Sequence, residues 1–252
     1  MAGKGRRREE PKGSKRCVLD LLNSDRYINK INSLIRDAEC RISIDDKKMP
    51  ASYDDPKEAE FKGFLEKDNK FSYGRDIAEW WLCPHSVNAR TPNLDLISTC
   101  KIGNEDGILI VEAKAHFGEL NNERKGKAKG ASDKSKQNHK KIEQAISQAN
   151  SGISKQCNQV NISIDKCYQL SNRIAHAWWL ADHGIPVVVL YLGLLNVKDM
   201  DNGRNKVFKI DADWQQCFTN HSHKVGVDNI INKWIHCKKS KFILISKSLV
   251  DE

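Results

Sequence analysis

Residues 185–195 read IPVVVLYLGLL, and no other stretch constrains the fold as tightly. A continuous apolar run rich in β-branched residues marks a strand covered on both faces, as in a mixed or parallel α/β sheet. The segment before it carries an apolar stripe at helical spacing through Leu170, Ile174, Ala177, Trp178 and Ala181. Gly184 stands where a helix ends in a left-handed residue, and Pro186 stops the helix from continuing. A helix feeding a doubly covered strand calls for a layered α/β architecture. The run is too short to cross a bilayer, so no membrane partner is expected.

A second β signal runs from Asn93 to His116, NLDLISTCKIGNEDGILIVEAKAH. LDLIST and GILIVEA are β-rich, and KIGNEDG between them is turn-rich, which predicts an antiparallel hairpin. With the turn centred near Asn104–Glu105, paired residue numbers sum to about 209. Asp95 then faces Lys114, and position 97 faces Glu112. Opposed residues share a face, as do residues two apart on one strand. Asp95, Glu112 and Lys114 therefore project to one side. A one-residue slip would break the arrangement. Asp106, six residues before Glu112, lies roughly 20 Å away along the strand and is read with Glu105 as a turn residue. Two carboxylates beside a lysine suit Mg²⁺, which binds through one or two carboxylates plus phosphate. The lysine can position a water and offset charge on a phosphate. A surface ion pair is the plainer reading, but Glu112 follows the apolar run GILIV, where an unpaired charge is costly.

The rest of the chain frames this hairpin. Its 252 residues suffice for one large α/β domain with extensions, and a net charge of +9 favours an acidic polymer as partner. Cys17, Cys40, Cys83, Cys100, Cys157, Cys167, Cys217 and Cys237 form no CxxC pair, which argues against a zinc ribbon and fits reduced thiols in the cytoplasm. Residues 1–16 read as a disordered basic tail without the apolar core of a signal peptide. Residues 17–47 keep a helical period, 48–72 are polar, and YGRDIAEWWLCPH is a short helix stopped by Pro84. Residues 117–160 are lysine-rich: from Phe117 to Lys141 eight Lys/Arg stand against three acids. Their first half reads as a mobile loop and their second half as a helix. A solvated loop is the plainer reading, but this insertion leaves directly from the strand carrying Glu112 and Lys114, which favours Lys125, Lys127 and Lys129 as contacts to DNA phosphates. Towards the C-terminus, KVFKID and KFILISK read as strands and VDNIINKWIHC as a helix. His221-Ser222-His223 lacks a third ligand at metal spacing and reads as a loop, and His139 stands without the partners of a histidine nuclease motif. Of each tryptophan pair, Trp80–Trp81 and Trp178–Trp179, one member is expected in the core and the other along a groove.

In order, the chain presents a helix with Glu79, a hairpin with Asp95 and Glu112-x-Lys114, a helix with Gln169, and a buried strand. This resembles the PD-(D/E)xK nuclease superfamily, the restriction-endonuclease-like fold, over roughly residues 73–195. The resemblance implies an α/β fold: an αβββαβ core with a mixed sheet flanked by helices, plus N- and C-terminal extensions. The implied organisation is a tail at 1–16, a helical extension at 17–72, a core at 73–195 with the insertion at 117–160, and an α/β extension at 196–252 packed on the core. It implies that Asp95 and Glu112 are metal ligands, with the backbone carbonyl of Ala113 and the side chain of Glu79 completing the site. Lys114 would orient or activate the attacking water. Gln169 resembles the polar residue of the helix that follows, in a QxxxY pattern that here has Arg173 in place of tyrosine. Tyr168, Asn172 and Arg173 would serve the same face, with Arg173 as a phosphate contact. Leu94 stands where the motif often has proline.

The expected activity is that of a Mg²⁺-dependent deoxyribonuclease, with Mn²⁺ able to substitute, acting in restriction, phage defence or repair. DNA is the expected partner, with a second copy of the chain or a defence-system subunit as further partners. The alternatives are a nucleic-acid-binding or assembly subunit that keeps the fold without catalysis, and an RNase.

Overall fold

The apolar run after Pro186 becomes the interior of a seven-stranded mixed sheet in a computed structural model that describes residues 10–67, 70–84, 89–121, 125 and 132–251. The elements, in chain order, are α1 (Gly13–Asn23), α2 (Tyr27–Ile35), β1 (Cys40–Arg41), β2 (Lys48–Met49), β3 (Ala59–Glu60), α3 (Phe61–Glu66), α4 (Gly74–Trp81), β4 (Asn93–Leu94), β5 (Leu96–Ile102) and β6 (Glu105–Lys114). They continue with α5 (Asp133–Ser154), α6 (Tyr168–Asp182), β7 (Val187–Leu195), α7 (Asp211–His223), β8 (Trp234–His236) and β9 (Lys241–Val250). The sheet order is β1-β5-β6-β7-β9-β8, with β2 also on β5 and a separate β3–β4 pair beside it. β5 and β6 are antiparallel, β6, β7 and β9 run parallel, and β8 returns antiparallel.

Every residue of β7 is buried, because helices cover both faces of the sheet. Ile108, Ile110, Val187, Val189 and Tyr191 pack towards Ile142 and Ile146 of α5, Leu170 and Ile174 of α6, and Trp214 and Phe218 of α7. Leu109, Val111, Val188, Leu190 and Leu192 pack towards Val18 and Leu22 of α1 and Ile31 and Ile35 of α2. Helix α6 ends as the sequence indicates: Gly184 takes φ 103, and Ile185 N–H donates back to the Leu180 carbonyl at 3.0 Å. Among the described residues no helix is long and apolar enough to cross a membrane.

Several expectations are corrected. The hairpin closes through Gly103–Asn104, with Gly103 at φ 58, so paired numbers sum to 207, as in Leu96↔Val111, not 209. A shift of two residues preserves parity and so preserves the face. Asp106 lies within β6 opposite Lys101 rather than in the turn. Helix α1 begins at Gly13, inside the expected tail. The sheet also runs through both expected domain boundaries. β1 and β2 pair with β5, α1 and α2 cover one face, and β9 pairs along the whole of β7. The segment VDNIINKWIHC is a 3₁₀ turn followed by β8, because Asn232 at φ 59 breaks a helix and Trp234–His236 pairs with β9. In KVFKID only Val207 and Phe208 form isolated bridges. His221-Ser222-His223 ends α7 rather than lying in a loop. Trp178 and Trp179 are both buried, since α6 is covered on nearly all sides.

Candidate active site

β6 delivers Glu112 and Lys114 to the face it shares with Ile108 and Ile110, while Val111 and Ala113 point to the other face. Asp95 sits at the break between β4 and β5, where Leu94 and Ile97 pack in the same cluster and strand alternation is interrupted, and its carboxyl lies within reach of the charges of Glu112, Lys114 and Arg173. Its Oδ2 accepts a hydrogen bond from Ala113 N–H at 2.8 Å, which ties the break to β6. The observed pairing of the hairpin begins at Leu96↔Val111, so Asp95 lies just outside it and is not paired with the expected partner Lys114.

Glu112 and Lys114 are buried at 2 % and 4 % exposure. Lys114 Nζ donates to Glu112 Oε1 at 2.6 Å and to the side-chain carbonyl of Gln169 at 2.6 Å. Gln169 reaches the site from the first turn of α6. One turn later Arg173 donates from Nε to Glu112 Oε2 at 2.8 Å and from Nη2 to the Asn93 carbonyl at 2.7 Å. Arg173 is 5 % exposed, and its contacts are to Glu112 and the Asn93 carbonyl. The helical i, i+4 spacing of Gln169 and Arg173 was the available signal: once Gln169 faces the hairpin, Arg173 must face it too.

These contacts set the charge states. Burial, and then the Glu112 charge, push the Asp95 carboxyl up to about 7. Burial also raises Glu112, but Arg173 and Lys114 outweigh it and hold that carboxyl below its ordinary value. Burial lowers Lys114, yet Glu112 and Asp95 more than offset this and keep it an ammonium. At neutral pH Lys114 is therefore a donor and a cation, not a free base.

The remaining expected residues fall elsewhere or in other roles. Glu79 has a side chain 60 % exposed and pairs with Arg75 at 2.8 Å along α4. It does not join Asp95 and Glu112. Among the described residues, no group of three or more His, Cys, Asp or Glu side chains gathers as metal ligands. Ala113 meets Asp95 through its N–H. Lys125 lies half-buried over the Tyr168 ring, 5.0 Å from its centroid. Lys127 and Lys129 lie outside the described residues. His139 is buried in α5. His221 is buried with Nδ1 on the Leu120 carbonyl.

A hard divalent ion can be held through one or two carboxylates, with water and phosphate filling the other positions. Asp95 and one Glu112 oxygen match that donor set. The Asp95 carboxyl is raised first by burial and second by the Glu112 charge, so the two carboxylates feel each other across the site. The residues present fit such an ion.

Beyond the β3–β4 pair, a cleft of about 1000 Å³ that none of Asp95, Glu112 and Lys114 lines is bounded by Glu60, Lys62, Arg75, Glu79, Arg90 and Lys141 among others. Its wall meets the site's scaffold where Glu60 pairs with Asn93, the residue whose carbonyl holds Arg173. Comparisons with protein-family models, curated proteins and solved structures give no match.

Proposed function

We propose that the chain is a metal-dependent nuclease that hydrolyses phosphodiester bonds in DNA on a restriction-endonuclease-like fold. The observation that carries this reading is the meeting of Glu112 and Lys114 on one face of β6 with the Asp95 carboxyl bound to Ala113 N–H beside them, Lys114 being held between Glu112 and Gln169. The antiparallel β5–β6 hairpin followed by parallel β7, with α5 and α6 between, supports the later part of the αβββαβ order, whereas the strand that follows α4, β4, pairs with β3 outside the main sheet.

When bound, Mg²⁺ or Mn²⁺ would supply Lewis-acid stabilisation of the charge on the reacting phosphate and its leaving oxygen. Asp95 and Glu112 would hold it. Lys114, kept as an ammonium by the two carboxylates, orients the attacking water and offsets charge developing on the phosphate. Gln169 fixes the direction of that ammonium. Arg90 and Lys141, which line the cleft beyond the β3–β4 pair, are further candidate backbone-binding cations.

The second reading, a binding or assembly subunit without catalysis, draws on one fact: both Glu112 oxygens are already paired with cations. The test is incubation of the full chain with plasmid, linear duplex, single-stranded DNA and RNA, each with Mg²⁺, Mn²⁺ or EDTA. Metal-dependent cleavage of DNA supports the nuclease reading, and cleavage of RNA alone moves it to an RNase. Binding without cleavage under either metal would establish the second reading.

A further inference from the structure

Two carboxylates, Asp95 and Glu112, stand against two cations, Lys114 and Arg173, so the fully ionised cluster sums to zero charge. Lys114 holds Glu112 Oε1 at 2.6 Å. Arg173 places Nε and Nη2 on the other oxygen, Oε2, at 2.8 and 2.7 Å. The same Nη2 holds the carbonyl of Asn93, two residues before Asp95. Asp95 gives only Oδ2 to a backbone donor.

We propose that Arg173 is a positioning residue that makes divalent-cation binding conditional on a phosphate anion. The inference rests on the nuclease reading. A doubly charged cation entering alone adds its whole charge to a buried cluster that is neutral when Asp95 is ionised and positive when Asp95 is protonated, and buried uncompensated charge is costly. A cation arriving with a phosphodiester brings a counter-charge. The phosphate also gives Lys114 a further acceptor beside Gln169, which releases Glu112 Oε1. Arg173 keeps Oε2, so it decides which Glu112 oxygen is released. Through Asn93 it also holds the Asp95 segment in register with β6 while this happens. An arginine fits the task because its planar fork makes both contacts from one rigid group.

The test is a calorimetric titration of the full chain with Ca²⁺, a probe that leaves DNA uncut, in the absence and presence of a short DNA duplex. In the wild type the duplex should tighten Ca²⁺ binding by about tenfold or more, and Ca²⁺ should tighten the duplex by the same factor. Arg173→Gln removes the charge but keeps a donor towards Oε2. It should bind Ca²⁺ alone about tenfold more tightly than the wild type, and lose most of the gain from DNA. A residue that only braced the fold would weaken Ca²⁺ binding when replaced, so weaker or unchanged binding by a folded Arg173→Gln overturns the inference. Equal wild-type affinity with and without the duplex overturns it too, with no variant needed, and leaves the nuclease reading standing. Absence of divalent binding in both conditions removes the nuclease reading and the inference with it.

Discussion

Burial and the Glu112 charge hold the Asp95 carboxyl up to about 7, above the ordinary aspartate value of 3.8, so the fold favours its protonated form. A raised carboxyl contributes stability that is complete below the unfolded pKa and is lost as pH rises through the folded one. In EDTA the wild type should therefore lose stability between about pH 4 and pH 7. Asp95→Asn cannot ionise and should not share that loss. Thermal melts across this range check it, and parallel profiles for the two proteins would count against the shared carboxylate site. Above pH 7, Mg²⁺ should restore part of the lost stability to the wild type alone. Glu112 behaves differently. Glu112→Ala strands Lys114 and Arg173 as buried cations and should cost about 3–5 kcal/mol. Asp95→Ala strands none, so denaturant melts should separate the two variants. Glu112 and Lys114 were legible as neighbours on one face because strand parity fixes a face from sequence spacing alone, whereas Asp95 falls at the break before β5, where parity does not reach. Arg173's partnership with Glu112 was not, because an arginine on a helix reads equally as an internal ion pair or an exposed phosphate contact until the helix's burial is known.

The hairpin shows how an element absorbs an error. Its turn sits two residues from the expected register, and the side chains kept their face because the period of a strand is 2. Helix α7 was missed altogether: its apolar residues Trp214 and Phe218 are four apart in an otherwise polar segment, too few to stand out as a stripe. Its placement is nonetheless tight. A Cβ on Gly193, which pairs with Lys114 across β6 and β7, would collide with the Trp214 ring. Gly193→Ala should destabilise the chain by about 1–3 kcal/mol through overpacking. It should also displace α7 and lower cleavage without changing the triad; a denaturant midpoint equal to that of the wild type would contradict this packing. The cleft offers an independent test on other elements. Arg90→Gln with Lys141→Gln should reduce the log–log salt slope of DNA binding by roughly 0.9 for each phosphate no longer neutralised. An unchanged slope would send the DNA track elsewhere, with the lysine-rich segment around Lys125 next in line.

At the scale of the whole molecule, the sequence indicated an α/β sheet flanked by helices because the doubly covered strand β7 is unambiguous. It did not indicate that both expected extensions belong to that sheet. β1 and β2 are two residues each, too short to leave a period, and the pairing of β9 with β7 joins distant parts of the chain. The consequence is that one cooperative layer carries the site: β6, which bears Glu112 and Lys114, lies between β5 and β7, and β9 closes over β7. Whether this layer presents a working phosphodiesterase is the central question. The most direct measurement is nicking of supercoiled plasmid in Mg²⁺ by the wild type, Asp95→Ala and Lys114→Ala, each shown to be folded. The wild type should convert plasmid to nicked or linear forms, and EDTA should stop it. Both variants should fall by at least about a hundredfold, as the removal of a ligand or of an oriented donor does. Cleavage by Asp95→Ala at the wild-type rate, or no cleavage by the wild type in Mg²⁺ or Mn²⁺, would contradict it.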